Sequence, residues 1–229
     1  MLDIIIIMII LFGAIVGFKR GIIKQSVITV GMILVLILSF ILKNPVSSIM
    51  YEHLPFFSFG GFIKGIDAIN ILLYEIIAFL IIFAALYFIL RAVLVVTGLI
   101  EKILKATVIL SIPSKILGIF VGILESYVYI FIVLVILTLP IFNIPFVRES
   151  RMVNFMLDET PILSSMSSEM IDIYDNVYNI VINRKDKNNE EINTEITKLM
   201  IDKKVLTKES ARKLVDRNKL HINNKEILE

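Results

Sequence analysis

Two acids and an arginine set into oily runs are the residues whose surroundings would force chemistry on them. Glu125 stands mid-way along "ILGIFVGILESYVYIFIVLVIL", Glu75 opens another apolar run, and Arg91 lies where that run loses its purity. An ionised carboxylate in the middle of a hydrocarbon layer is expensive unless it meets a cation or takes up a proton. Arg91 is the cation at comparable depth, so an Arg91–Glu125 pair between two helices is expected. A neutral, protonated Glu125 facing the bundle or an oligomer contact stands beside that expectation. Glu75 lies nearer a helix end and can reach water. Intramembrane ionisable groups also mark proton and solute pathways, so a transport component using Glu125, Arg91 and Glu75 is one functional alternative. Against it, proton-coupled transporters offer several such groups, broken helices and internal repeats.

Other chemistry is poorly supplied. Cysteine is absent, and the two histidines, His53 and His221, are far apart, so neither a thiolate site nor a metal cluster is expected. The chain has no phosphate-cradling glycine loop, no zinc-protease His-Glu-x-x-His and no nucleophile elbow. The serines of "SSMSSEM" suit a polar helix start better than a nucleophile, because no motif positions a histidine base. The expectation is therefore a protein without catalytic residues, cofactor or metal.

A different constellation is steric. Gly13, Gly17 and Gly21 repeat at every fourth position of "GAIVGFKRG", and Gly118, Gly122 and Ser126 do so in "GIFVGILES". Lipid tails solvate Leu and Ile well, so helices in a bilayer gain most where small residues let backbones approach. These two ladders use five of the ten glycines, and they are the expected helix-packing faces. Chance spacing of a residue common in membrane helices is the plain alternative.

The elements that must carry these groups follow from hydropathy. Of 229 residues, 57% are hydrophobic, and the mean hydropathy of +0.87 is far beyond what a water-soluble domain hides in its core. Four stretches are long enough to cross a hydrocarbon layer, which takes about 20 helical residues. They are Leu2 to Phe18, Ile22 to Leu42, Ile69 or Ile71 to about Leu90, and Ile116 to Leu139. The first is expected to be a retained span and not a cleaved signal, since it opens Met1-Leu2-Asp3 and ends in "FKRG". The second is expected to close at "KNP", where Pro45 discourages helix continuation. "SIPSK" opens the fourth with a serine cap and a first-turn proline, and Pro140 and Pro145 end it.

Short-loop cations set the orientation. Lys19, Arg20 and Lys24 follow the first span, and Arg91, Lys102, Lys105 and Lys115 follow the third, against Lys43 and Lys64 between spans two and three. The first and third connections are therefore expected in the cytoplasm, with both termini outside. Residues 43–70, rich in Phe, Tyr, Gly and Pro, are expected to be interfacial or re-entrant, an ordinary loop being the alternative.

The expected division is a four-span domain, 1–147, and a charged tail, 148–229. The tail carries fourteen Lys/Arg against fifteen Asp/Glu, a balance that offers no footprint for nucleic acid. Met166, Met170, Ile173, Val177 and Ile180 share a helical face; Ile192, Ile196, Leu199 and Met200 make a second amphipathic helix, and Thr207 opens a third with Ala211, Leu214 and Val215. Such helices lie on the membrane, pair as a hairpin or await a partner. The fold class is all-α: an integral membrane four-helix bundle with a mostly helical, amphipathic tail.

The chain resembles the colicin V production protein family of bacterial inner-membrane proteins. Asp3 opens the first span, "GFKRG" leads into "IIKQSVITVG", and "SKILGIFVGILES" sets a basic residue before a glycine ladder. The likeness covers about residues 1–150 and departs at Glu125, where the family often has a basic residue. It implies a multi-pass inner-membrane accessory or scaffold protein linked to toxin production or export and to envelope maintenance. Its expected partners are the lipid bilayer and either a second copy of the chain or other envelope membrane proteins.

Overall fold

The computed structural model describes residues 2–96, 111–137, 147, 149–160, 163–184 and 187–229. Among these, regular structure is helical throughout, as apolar runs in lipid require: a helix satisfies every backbone polar group within its own segment. Helices α1 (Leu2–Arg20), α2 (Ile22–His53), α3 (Ile69–Val96) and α4 (Ser111–Leu137) hold the four spans. They are followed by α5 (Arg151–Asn154), which runs into a π-helical turn at Phe155–Glu159, then α6 (Leu163–Ile182), α7 (Asn189–Asp202) and α8 (Lys208–Asp216). In the most apolar windows of α1 and α3 only 17% of residues are buried against protein. Side chains such as Phe12, Ile15, Phe88 and Ile89 point outward, a surface suited to acyl chains and not to water.

One boundary differs from expectation. Helix α2 does not close at Pro45 but continues to His53. Pro45 cannot donate to the carbonyl one turn earlier. Just after the break, Ser47 Oγ donates to the Asn44 carbonyl at 2.9 Å and Ser48 Oγ to that of Pro45 at 2.8 Å, so neither hydroxyl is left unpaired. The extension is held by tertiary contacts, with Lys43 Nζ on Glu75 Oε2 at 3.0 Å and Ser47 and Tyr51 buried. Packing outweighs the local preference. The expected helix-ending prolines Pro140 and Pro145 lie outside the described residues.

The chain forms two compact units, and they do not divide at residue 147. One comprises Met1–Phe40, Ile81–Leu137 and Ile144–Ser164; the other comprises Ile41–Leu80, Thr138–Asn143 and Ser165–Glu229. In the second unit the tail helices neither lie free nor only pair with each other. They pack on the second half of the connection between spans two and three, at Gly65, Asp67 and Ala68. Ile192, Ile196, Met200 and Leu214 are fully buried, as are Ile66, Ala68 and Ile71 of the connection and the start of α3. On α6 the buried face runs through Met170, Ile173, Tyr174, Val177 and Val181; Ile180, expected on it, is only half-buried. The Met166 side chain lies outside the described residues.

Polar groups fix the second unit at defined points. Asn188 and Glu191 form a reciprocal capping box on α7, and the Thr207 side chain caps α8 by accepting from Ser210 N–H. Asp67 Oδ2 accepts from His221 Nδ1 at 2.7 Å and Asn193 Nδ2 at 3.4 Å, while Asn193 Oδ1 accepts from Ala68 N–H at 3.2 Å. Lys219 Nζ donates to the carbonyls of Tyr51, Glu52 and Leu54 at 3.1, 2.7 and 2.8 Å, so one ammonium caps the end of α2. A cation suits the negative end of a helix dipole. Burial pushes the Lys219 ammonium below its usual range, and Arg217 beside it adds to the effect.

Candidate functional site

In the first unit the two small-residue ladders face each other. A Cβ built on Gly17 would lie 2.1 Å from the Gly118 carbonyl oxygen and 2.9 Å from Gly122 Cα. One on Gly122 would lie 2.2 Å from the Gly13 carbonyl, and one on Gly13 would fall on the Ser126 hydroxyl. Gly13 is opposite Ser126 and Gly122, Gly17 opposite Gly118, and Gly21 nearest Ser114, so α1 and α4 run antiparallel. Only residues without a side chain permit this backbone-on-backbone contact. Ser126 satisfies its hydroxyl within its own helix, donating to the Gly122 carbonyl at 3.0 Å.

Gly21 has a second task. It is the single residue between α1 and α2 and sits at φ +72°, in the left-handed region that side chains disfavour. Its N–H donates to the Gly17 carbonyl at 2.9 Å, and its own carbonyl accepts from Gln25 N–H at 3.0 Å, so it closes one helix and opens the next. The cations gather at this turn. Lys19 is exposed, Lys24 half-buried, and Lys115 Nζ stands 5.9 Å from the centre of the Phe18 ring. Lys102 and Lys105 lie outside the described residues.

Glu125 is buried, 7% exposed, and its partners differ from those expected. Its Oε2 accepts from the Gln25 side-chain amide and lies 3.4 Å from Arg20 Nη1, which also donates to Gln25 Oε1 at 3.2 Å. The cation on Glu125 is thus Arg20, not Arg91. Arg91 turns to its own helix, donating through Nε and Nη2 to the Tyr87 hydroxyl at 3.0 and 2.7 Å, with its guanidinium 5.2 Å from that ring's centre. Depth along the chain placed Arg91 and Glu125 at similar levels, but azimuth decides contact. Glu125 faces the α1–α2 turn, whereas Arg91 faces one turn back along α3. The amide of Gln25, fully buried, was not singled out from sequence. Its signal was a polar residue one turn past a glycine break, easily lost beside three cations.

At the other end of the first unit, the Ser150 hydroxyl donates to Asp3 Oδ1 and accepts from Val153 N–H at 3.2 Å, capping α5. The start of the first span therefore meets the segment after the fourth. In the second unit the connection between spans two and three meets the tail. Among the described residues no cluster of His, Cys, Asp or Glu could hold a metal ion.

Comparison with known proteins agrees with this architecture. The chain is 28% identical over 183 residues to the uncharacterized transmembrane protein YshB of Bacillus subtilis (strain 168), covering 74% of this chain and 97% of that one. No solved structure matches the chain. The family model for the colicin V production protein matches residues 2–161, which take in the turn at Gly21, both glycine ladders and the capped segment at Ser150. With four spans, an interlocked first and fourth helix and a match over most of its length, this chain belongs to the colicin V production protein family.

Proposed function

We propose that the protein is a non-enzymatic scaffold or accessory component of the bacterial inner membrane, serving toxin production or export and envelope maintenance. The observation that carries this is the state of Glu125. Its side chain is held by Arg20 and Gln25 beside a seam of backbone contact, an arrangement that ties α1, α2 and α4 together. The bilayer holds the spans, and the second unit is the surface offered to partners, either a second copy of the chain or other envelope proteins. Both termini lie outside the cytoplasm, with Lys19, Arg20, Lys24, Arg91 and Lys115 inside, in keeping with the cation excess of these connections.

In-cell crosslinking with mass spectrometry, combined with substitutions, tests this. A scaffold loses its neighbours and its activity when Gly17→Ile or Gly122→Ile prevents assembly, and keeps both in Glu125→Gln. A protein level that is normal in Glu125→Gln while activity disappears would overturn the scaffold in favour of proton- or solute-coupled transport through Glu125. Reporter fusions at residues 19–24 check the orientation.

A further inference from the structure

We infer that residues 55–62, within the connection between spans two and three, form an aromatic foot that rests in the phospholipid headgroup layer without re-entering the hydrocarbon. The apolar stretch of α2 ends at Leu42; from Ile22 that is about 31 Å at 1.5 Å per residue, the thickness of the hydrocarbon core. Lys43 therefore marks the hydrocarbon edge, and Glu75, bonded to it, lies at nearly the same level. Helix α3 begins at Ile69, so Asn70 stands about 7 Å further out than Glu75. The headgroup region adds roughly 5–8 Å on each side of the core.

Phe57 is tied to that level. Its N–H donates to Asn70 Oδ1 at 2.7 Å, its carbonyl accepts from Asn70 Nδ2 at 3.2 Å, and its ring lies 6.0 Å from the Tyr74 ring. Asn70 and Tyr74 hold this non-helical backbone in place, the latter by donating to the Pro55 carbonyl. With the backbone settled, the side chains are left outward. Phe57 is 52% exposed, and Gly60 and Gly61 have open space around them. A water-facing loop would gain nothing from such rings, whereas the headgroup layer accommodates them. Exposed apolar side chains of the adjoining spans, Ile41, Leu42 and Ile49 on α2 and Leu80 on α3, lead to it, which argues for phospholipid as its occupant.

The chain contains no tryptophan, so a single substitution makes a clean depth reporter. The full chain carrying Phe57→Trp, and separately Phe59→Trp, is reconstituted in phosphatidylcholine vesicles. Lys198→Trp, at an exposed position on α7, is the aqueous reference. The expected result is emission to the blue of the Lys198→Trp reference and quenching by lipids brominated high on the acyl chain, roughly twofold stronger than by lipids brominated near its end. Equal or stronger quenching from the deep bromines would make the segment re-entrant and overturn the inference. Full quenching by aqueous iodide without lipid quenching overturns it as a water-exposed loop. Shielding from both overturns it in favour of a protein partner. Agreement between the two reporters excludes a local misfold at either.

Discussion

The two compact units hold themselves together in opposite ways. In the first, α1 and α4 meet through what their residues lack: Gly13, Gly17, Gly118 and Gly122 bring backbone against backbone. In the second, the tail closes over the span connection through what its residues carry, namely buried Ile, Met and Leu, helix caps and a lysine on three carbonyls. The difference follows from the solvent. In lipid there is little to gain by hiding Leu from Leu, so contact is won by close approach. Where water is the alternative, apolar burial drives association, at about 25 cal/mol per Å² removed from it.

The sharpest way to break this contrast is to give the seam one methyl group. Gly17→Ala places a Cβ 2.1 Å from the Gly118 carbonyl oxygen, where nothing can yield except a whole helix. Gly31→Ala places one 2.9 Å from the end of the Leu90 side chain, which can rotate away. Gly17→Ala is expected to lose the folded state in detergent, a cost at or beyond the ~3 kcal/mol upper end of ordinary overpacking, while Gly31→Ala costs about 1 kcal/mol or less. Reversible unfolding of the purified chain measures both. Equal effects would mean that the ladder is no closer than any other helix contact.

The charge set against the seam gives the next largest effect. A double-mutant cycle between Arg20→Met and Glu125→Gln should return a coupling of about 2 kcal/mol, since the pair is largely removed from water. The same cycle with Arg91→Met should return about 0.5 kcal/mol or less, because Arg91 is engaged by Tyr87. A larger coupling to Arg91 would restore the pairing expected from depth alone.

These residues also mark how far the sequence could be read. The spans were legible because length and hydropathy belong to each segment by itself, and the glycine ladders because a four-residue spacing is a property of one helix. Which cation meets Glu125 was not legible: that depends on the rotation of three helices about their axes, and a chain of uniformly oily faces leaves rotation unmarked. The extension of α2 past Pro45 was hidden for a related reason. Its supports, Glu75 and Lys219, are remote in sequence, and Lys219 comes from a tail whose helices could be seen but whose docking place could not. Ala68 and Asn193 meet across 125 residues of chain, and single polar contacts of that kind leave no periodic trace.

In the second unit the caps should matter more than the surface pairs. Lys219→Met removes the donor from three carbonyls at the end of α2, which are then left to water or unsatisfied. A loss of about 1–2 kcal/mol is expected, the range for hydrogen bonds from a charged group. Amide exchange should quicken in residues 50–54 and at Asp67, while the α1–α4 seam stays protected. Exchange that quickens in the seam to the same degree would mean that the two units do not open separately.

The smallest effect belongs to an exposed pair, Asp172 on α6 with Lys203 just past α7, at 2.6 Å. The hydrogen bond from Lys203 holds the Asp172 carboxyl below its ordinary value of 3.8, against a smaller opposing push from desolvation. A carboxylate whose value is lowered by folding contributes stability that is fully present above its unfolded value and is lost as pH falls through the folded one. The contribution should therefore hold at neutral pH and fade below about pH 4. Both side chains are more than a third exposed, so solvent screening limits it to less than about 1 kcal/mol. Asp172→Asn should lower stability slightly at pH 7, match the parent chain at low pH, and lose its deficit at pH 7 in high salt. A deficit that survives both acid and salt would mean that Asp172 acts through its hydrogen bonds to Asn176 and not through charge.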